Sequence, residues 1–279
     1  MRIRDALLLL SIHEDSLKMM KMALFLGANP NYAEKDEYFP EEETSALKDA
    51  LRYGRKNGEQ MALTLIEKGA HVNLPQIKEN LLHTAVHHYD SPRLVEEMVK
   101  YGGDLIKGGG PLRTPPLTEA LSVGHFKAMQ KLLDLGSPID VTDANGRTPL
   151  MECVRKGQHD VLEYLLTNGA DIHKKDNFGE TVAHYAVRSV GLKKDEKKNK
   201  LQLKTLRMIK EAGVDFFEPD KTGKTAYALA RELKIDGNPF FRPFFNKMFQ
   251  EASAEWTKND AEQRQIRADY TKRKQKERD

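Results

Sequence analysis

Residues 143–175 read DANGRTPLMECVRKGQHDVLEYLLTNGADIHKK, and their pattern returns, degraded but legible, about six more times along a chain of 279 residues. A period near 33 residues marks stacked copies of one supersecondary unit, each burying its apolar face on its neighbours rather than around one central core. Glycines fix the register. Gly27, Gly69, Gly102, Gly136, Gly169 and Gly213 each follow an apolar helical run such as Val161-Leu162-x-x-Leu165-Leu166, at spacings of 42, 33, 34, 33 and 44 residues. Three intervals are near-regular and two carry insertions. A glycine there suits a helix that ends in a left-handed residue, where a Cβ is penalised. Upstream of each lies a second, shorter helical pattern. In the best copy it opens with Thr148-Pro149-Leu150, with Pro149 in the first turn, where a missing N–H is tolerated.

These residues resemble the ankyrin-repeat family over nearly the whole chain up to about Leu233. The family's turn, two antiparallel helices and loop map onto Asp143 to Thr148, roughly Pro149 to Lys156, roughly His159 to Asn168, and Gly169 to Ile172. Weaker copies open at Asn80-Leu81-Leu82-His83-Thr84-Ala85, Asp176-Asn177-Phe178-Gly179-Glu180-Thr181 and Asp220-Lys221-Thr222-Gly223-Lys224-Thr225. Met151 stands where the family usually has histidine, and Pro115-Pro116-Leu117 and Ser45-Ala46-Leu47 replace threonine-proline-leucine. The tryptophan, tyrosine and proline spacing of the 34-residue two-helix repeat is not found. The resemblance implies an all-α fold: an ankyrin-repeat solenoid of about seven helix-turn-helix units with short β-turn or hairpin tips and a helical C-terminal cap. The solenoid is expected over 1–233, with repeats at about 1–36, 37–75, 76–107, 108–142, 143–175, 176–219 and from 220 onward. An aromatic cap (234–256) and a charged helical tail (257–279) follow.

Composition agrees with a thin solenoid rich in surface: 39% of residues are apolar and 31% charged. The single cysteine, Cys153, stands in the slot where the repeat normally buries a small alanine, so it reads as a core hydrophobe rather than a nucleophile. The apolar run Ala6 to Leu10 is too short for a secretory signal or a membrane span. A cytoplasmic protein with no membrane partner is expected, and export by a route without such a signal is left open.

Two insertions interrupt the repeats. Lys35 to Glu43 is an acidic finger carrying Tyr38 and Phe39, read as a solvated loop, with binding anchors as the other reading. Leu192 to Lys200 holds five lysines and two acids, and is expected to project as a loop or an extra helical turn. Beyond Leu233, Asn238-Pro239-Phe240-Phe241-Arg242-Pro243-Phe244-Phe245 is too apolar to stay wet and reads, with Met248, Phe249 and Trp256, as the cap; an aromatic docking motif is the alternative. The tail from Lys258 mixes eight basic with five acidic residues, and the chain's net charge is only +3, which argues against nucleic-acid binding.

No phosphate loop, dinucleotide fingerprint, nucleophile elbow or zinc-protease motif occurs, and no cofactor is expected. His83 and His87 share one helical face at i, i+4, a spacing that can hold a transition metal. The stronger reading comes from the resemblance, which implies that His83, and His184 in the same slot of a later repeat, bond to backbone of the turn. His125 occupies a second common histidine slot.

The resemblance further implies that turn tips and the ends of first helices line a concave, target-facing side. The helix-end positions are Arg52 and Tyr53, His87 and His88, Ser122 and Val123, Arg155 and Lys156, and Arg188 and Ser189. Tip positions include Asn145, Arg147, Phe178, Glu180, Thr222 and Lys224. The helix-end row holds four permanent cations, two histidines, one exposed tyrosine and no acid, so it is expected to steer an acidic protein partner. Partner contacts are expected at Arg52, Tyr53, His87, His88, Arg147, Arg155, Lys156, Phe178, Arg188 and Lys224. The expectation is a monomeric, non-enzymatic binding protein. An inhibitor or self-protection protein, or a pathogen effector aimed at a host protein, is the alternative; an enzyme with its site in the C-terminal region is the rival class.

Overall fold

Thr148 shows how one repeat is built. Its side-chain oxygen accepts a hydrogen bond from Met151 N at 3.3 Å and so caps the helix Pro149–Lys156, which Gly157 ends at φ 72°. A two-residue turn leads into the helix His159–Thr167. That helix closes through Gly169, at φ 89°, with Ala170 N–H donating to Leu165 O at 3.0 Å. Both helices lie where the sequence places them. The other five register glycines also have positive φ, and Ser16, Ser45, Asn80, Ser91 and Thr225 repeat the capping device.

The computed structural model describes residues 2–35, 43–73, 79–190, 196–255 and 257–258. The acidic finger with Tyr38 and Phe39, the first half of the 192–200 insertion, Trp256 and the tail from 259 lie outside the described residues. The chain divides into two compact units, residues 1–182 and 183–279.

In the first unit, five helix pairs follow one another: α1 (Ile3–His13) with α2 (Leu17–Phe25), α3 (Ala46–Tyr53) with α4 (Gly58–Glu67), α5 (Leu81–His88) with α6 (Pro92–Lys100), α7 (Pro116–Val123) with α8 (Phe126–Asp134), and α9 (Pro149–Lys156) with α10 (His159–Thr167). The first helices α1, α3, α5, α7 and α9 pack each on the next, and α2, α4, α6 and α8 do the same on the other side. A hairpin of β1 (Ala33–Lys35) and β2 (Glu43–Ser45), with Glu34 opposite Thr44, joins the first two pairs.

One triplet at i, i+3, i+4 drives this packing. Leu8-Ser11-Ile12, Leu47-Ala50-Leu51, Leu82-Ala85-Val86, Leu117-Ala120-Leu121 and Leu150-Cys153-Val154 are all buried. The small middle residue lets successive first helices approach, and burying each large side chain contributes about 1.5–3 kcal/mol. Cys153 fills the alanine slot, as expected. Burial, then the neighbouring Glu152, pushes its thiol up to about 12, and its S–H donates to Gln158 O at 3.0 Å.

Ring and amide side chains tie each first helix to the one before. The His125 ring bonds Val86 O through Nδ1 at 2.9 Å, and Gln158 Nε2 donates to Leu121 O at 2.7 Å from the same slot one repeat later. Tyr89 O–H reaches Ala50 O at 3.3 Å. The C-terminal ends of α3, α5, α7 and α9 therefore lie side by side and form one edge.

The second unit carries α11 (Val182–Ser189), α12 (Glu196–Glu211), α13 (Ala226–Glu232) and a helix over residues 242–255. α12, with 16 residues, is longer than any second helix of the first unit, because the latter half of the insertion continues it as extra helical turns. Phe216, Phe241, Phe245 and Met248 are buried. The Phe244 ring meets Phe216 edge-on at 5.9 Å, and Phe249 stacks on Tyr227 at 5.6 Å. Of the four phenylalanines between 240 and 245, Phe241 and Phe245 enter this core while Phe240 and Phe244 stay half-buried.

Candidate functional site

The turn tips are held from within. Asp143 Oδ1 accepts from the N–H groups of Asn145 and Arg147 at 2.9 and 3.0 Å, and Asp176 Oδ1 repeats this with Phe178 and Glu180 at 2.9 and 2.8 Å. In the second unit Asp220 Oδ1 does the same for Thr222 and Lys224, at 2.8 and 3.0 Å. Adjacent tips of the first unit are linked: Asn177 N–H donates to Asn145 O at 2.8 Å, and its side-chain amide to Ala144 O at 3.0 Å. The aspartate that opens each tip thus orders the loop before any partner arrives, which lowers the ordering cost of binding.

The edge formed by the first-helix ends differs from the expected one-sign row. Glu79 lies 3.3 Å from Arg52 and 3.5 Å from the buried Lys48, and accepts from Thr84 Oγ1 at 2.6 Å. Arg155 is clamped by Glu152, its Nε and Nη2 donating at 2.7 and 2.5 Å. Glu119, on α7, faces the edge residue His87 at 2.6 Å from Nδ1 and His83 at 3.4 Å from Nε2. The row positions hold no acid, but three glutamates from outside the row, Glu152 among them buried, meet its side chains. Reading the row alone missed them, because two of the three belong to a different repeat from the cation or imidazole they meet.

His83 shows the same displacement. Among the described residues its imidazole meets Glu119 and packs on Gly109, whose missing Cβ would lie 2.5 Å from its Nδ1. This corrects the expected bond to turn backbone, which His184 does make, from Nε2 to Lys224 O at 3.1 Å. No group of three His, Cys, Asp or Glu among the described residues could hold a metal ion. His83 first, then His87, draw the Glu119 carboxyl down to about 2 against the opposing effect of burial. A depressed carboxyl contributes stability present above its ordinary value and lost as pH falls through the folded value. Wild type is therefore expected to lose stability relative to Glu119→Gln between about pH 4.5 and about pH 2. Parallel thermal melts over that window check this, and a constant difference between the two proteins would remove the imidazole–carboxylate coupling.

Two further positions are corrected. Tyr53 is half-buried rather than exposed, since α1 lies on α3 and His13 stacks on its ring at 5.9 Å. Arg147 turns inward to Asp143, Nη2 to Oδ2 at 2.6 Å, and serves the tip that carries it. His87, His88, Arg155, Lys156 and Phe178 are exposed in the first unit, with Phe178 57% exposed on its tip. Burial of the ring, then His87 and Arg52, push His88 below its ordinary value, although the residue as a whole is exposed. In the second unit Arg188 is exposed at the end of α11, and Lys224 pairs with Glu232 at 2.7 Å. Sequence reading also passed over Arg55 and Lys56, in the turn after α3. Both are exposed and, like Lys156, make no ion pair among the described residues.

Residues 82–176 and 117–203 match the family of ankyrin repeats in three copies. The repeats over residues 82–203 belong to the ankyrin-repeat family. A putative ankyrin repeat protein of Rickettsia bellii is 26% identical over 158 residues, which cover 55% of this chain and 81% of that protein. The palmitoyltransferase AKR1 of Lachancea kluyveri is 26% identical over 189 residues, 62% of this chain but only 23% of that enzyme. The human ASB11 ankyrin repeat domain superposes with a TM-score of 0.61 over 80% of this chain and 90% of that one, at 22% identity, a likeness of fold. Ankyrin repeats are protein–protein interaction modules, and the fold is typically non-enzymatic. Among the described residues no helix is long and apolar enough to cross a membrane.

Proposed function

We propose that this ankyrin-repeat chain is a non-enzymatic binding protein that takes an acidic protein partner on the first-helix edge and adjoining turn tips of its first unit. The observation that carries the reading is the division of labour along that edge. Arg52 and Arg155 are occupied by Glu79 and Glu152, whereas Arg55, Lys56 and Lys156 stay exposed without an ion pair among the described residues. The paired arginines keep the edge ordered, and the exposed cations supply a positive field that a carboxylate-rich surface satisfies. Phe178, exposed on an ordered tip of the same unit, supplies an aromatic anchor.

The test uses a partner captured on wild type and identified by mass spectrometry, then titrated against wild type and the triple variant R55E/K56E/K156E. The variant is expected to bind at least about tenfold more weakly at low salt, with a smaller difference at high salt and an unchanged melting temperature. Equal affinity of the two proteins would overturn the edge as the binding surface. A captured enzyme whose activity falls on titration would make the chain its inhibitor.

A further inference from the structure

The end of the first unit opposite α10 carries a surface that the first-helix edge does not use. In α1 the residues facing α2 and α3 are buried (Asp5, Leu8, Leu9, Ser11 and Ile12), yet Ile3 and Leu10 are exposed on the opposite side, Ile3 at 91%. α2 behaves alike: Met20 and Ala23 are buried, whereas Met22, Phe25 and Leu26 are exposed, Phe25 at 86%. Both helices thus carry large apolar side chains on their exposed sides, a feature that marks a candidate interaction surface.

Its charges identify the occupant. Lys18 and Lys21 stand one helical turn before Met22 and Phe25 on the same face of α2. Arg2 and Arg4 flank Ile3, with Arg4 Nη1 at 3.4 Å from Leu26 O. The acids of α1 and of the turn after it are engaged or distant: Asp5 is buried and accepts from Asn29 N–H at 2.8 Å, Asp15 accepts from Asn57 N–H at 3.1 Å, and Glu14 sits at the far turn. A second copy laid face to face would set four cations against four cations. The corresponding side of α3 and α4 is the side that α1 and α2 themselves cover, so this surface has the shape that receives helices, which favours a helical protein segment over a lipid surface.

We propose that the outer face of α1 and α2 docks an amphipathic helix with an apolar stripe and acidic flanks, as a second contact independent of the first-helix edge. Apolar residues at i, i+3, i+4 and i+7 of that helix would lie between Ile3, Met22 and Phe25, and its carboxylates would meet Lys18, Lys21 and Arg2.

A stapled helical peptide of about 12 residues, about 18 Å long, spans α1. A fluorescent version with leucine and phenylalanine on one face and glutamate flanks is titrated against the full chain, beside an otherwise identical peptide with lysine flanks. Wild type is expected to bind the glutamate peptide at least about tenfold more tightly, K18E/K21E to reverse the preference, and F25E to lose both. All three changed residues are exposed, and melting curves confirm that the variants fold. Equal binding of the two peptides, binding of neither, or unchanged binding by F25E overturns the proposal. So does retention on phosphatidylserine vesicles without peptide binding, which assigns the face to a membrane. A dimer in sedimentation equilibrium that F25E dissolves also overturns it, and assigns the face to a second copy.

Discussion

Phe245→Ala is expected to lower the unfolding free energy by about 3–5 kcal/mol, the usual cost of emptying a fully buried aromatic site. Phe245 is completely buried in the second unit, where its ring lies 6.3 Å from Tyr227 and 5.2 Å edge-on from Phe244. The same surroundings supply a control. Phe249, on the next turn of the same helix, stacks on the other side of the aromatic cluster but is 44% exposed. Phe249→Ala should therefore cost only about 0.5–1.5 kcal/mol, the worth of a ring pair with little cavity left behind. Urea unfolding of both variants measures the contrast. Equal and small losses would mean that the phenylalanine run is held at the surface, and would return it to the docking-motif reading.

Gly146→Ala is expected to cost about 2–3 kcal/mol, through two separable effects. Gly146 sits at φ 77°, where an alanine is strained by about 1–2 kcal/mol. An added Cβ would also lie 2.6 Å from Asn177 Oδ1 and 2.8 Å from Asn177 N, so the next tip must give way. That movement breaks the bond from Asn177 N–H to Asn145 O, worth a further 0.5–1.5 kcal/mol or so. Gly169→Ala isolates the first effect, because Gly169 has φ 89° and nothing within 4 Å of an added Cβ. A difference of zero between the two variants would show that neighbouring tips do not support one another, and the rigid-tip part of the binding proposal would fall with it.

The elements of this chain were legible because their signals are local. Thr148, Pro149, Gly157 and Gly169 act within a turn of where they stand, so the helices Pro149–Lys156 and His159–Thr167 could be placed from residue types alone. Cys153 was legible for the same reason, as one member of a triplet whose other copies hold alanine or serine. The candidate surface was legible only in outline. The helix-end positions of α3, α5, α7 and α9 lie on one edge of the first unit, but the charges there are decided across repeats. Glu119 is 32 residues from His87 in sequence and 2.6 Å away in space. Tyr53 could not be recognised as half-buried without knowing that His13 lies beside it. His83 obeyed its neighbour in the next repeat rather than the habit of its slot. One-dimensional periodicity says which residues share a row; it does not say what stands in the gaps between rows.

The slot that holds His125 and Gln158 carries a consequence for how such a chain can lengthen or shorten. One position uses an imidazole and the other an amide, yet each donates to the same carbonyl of the preceding first helix, Val86 or Leu121. Excising residues 125–157 would join Gly124 directly to Gln158 and leave that amide facing Val86 O, in the place the imidazole had held. The seam would keep the hydrogen bond of that junction, while α10 would pack on α7 in place of α9. Copying the same stretch would do likewise in reverse. The joints of this scaffold are interchangeable parts, so its gene can gain or lose whole modules by unequal recombination while the surfaces on either side keep their register.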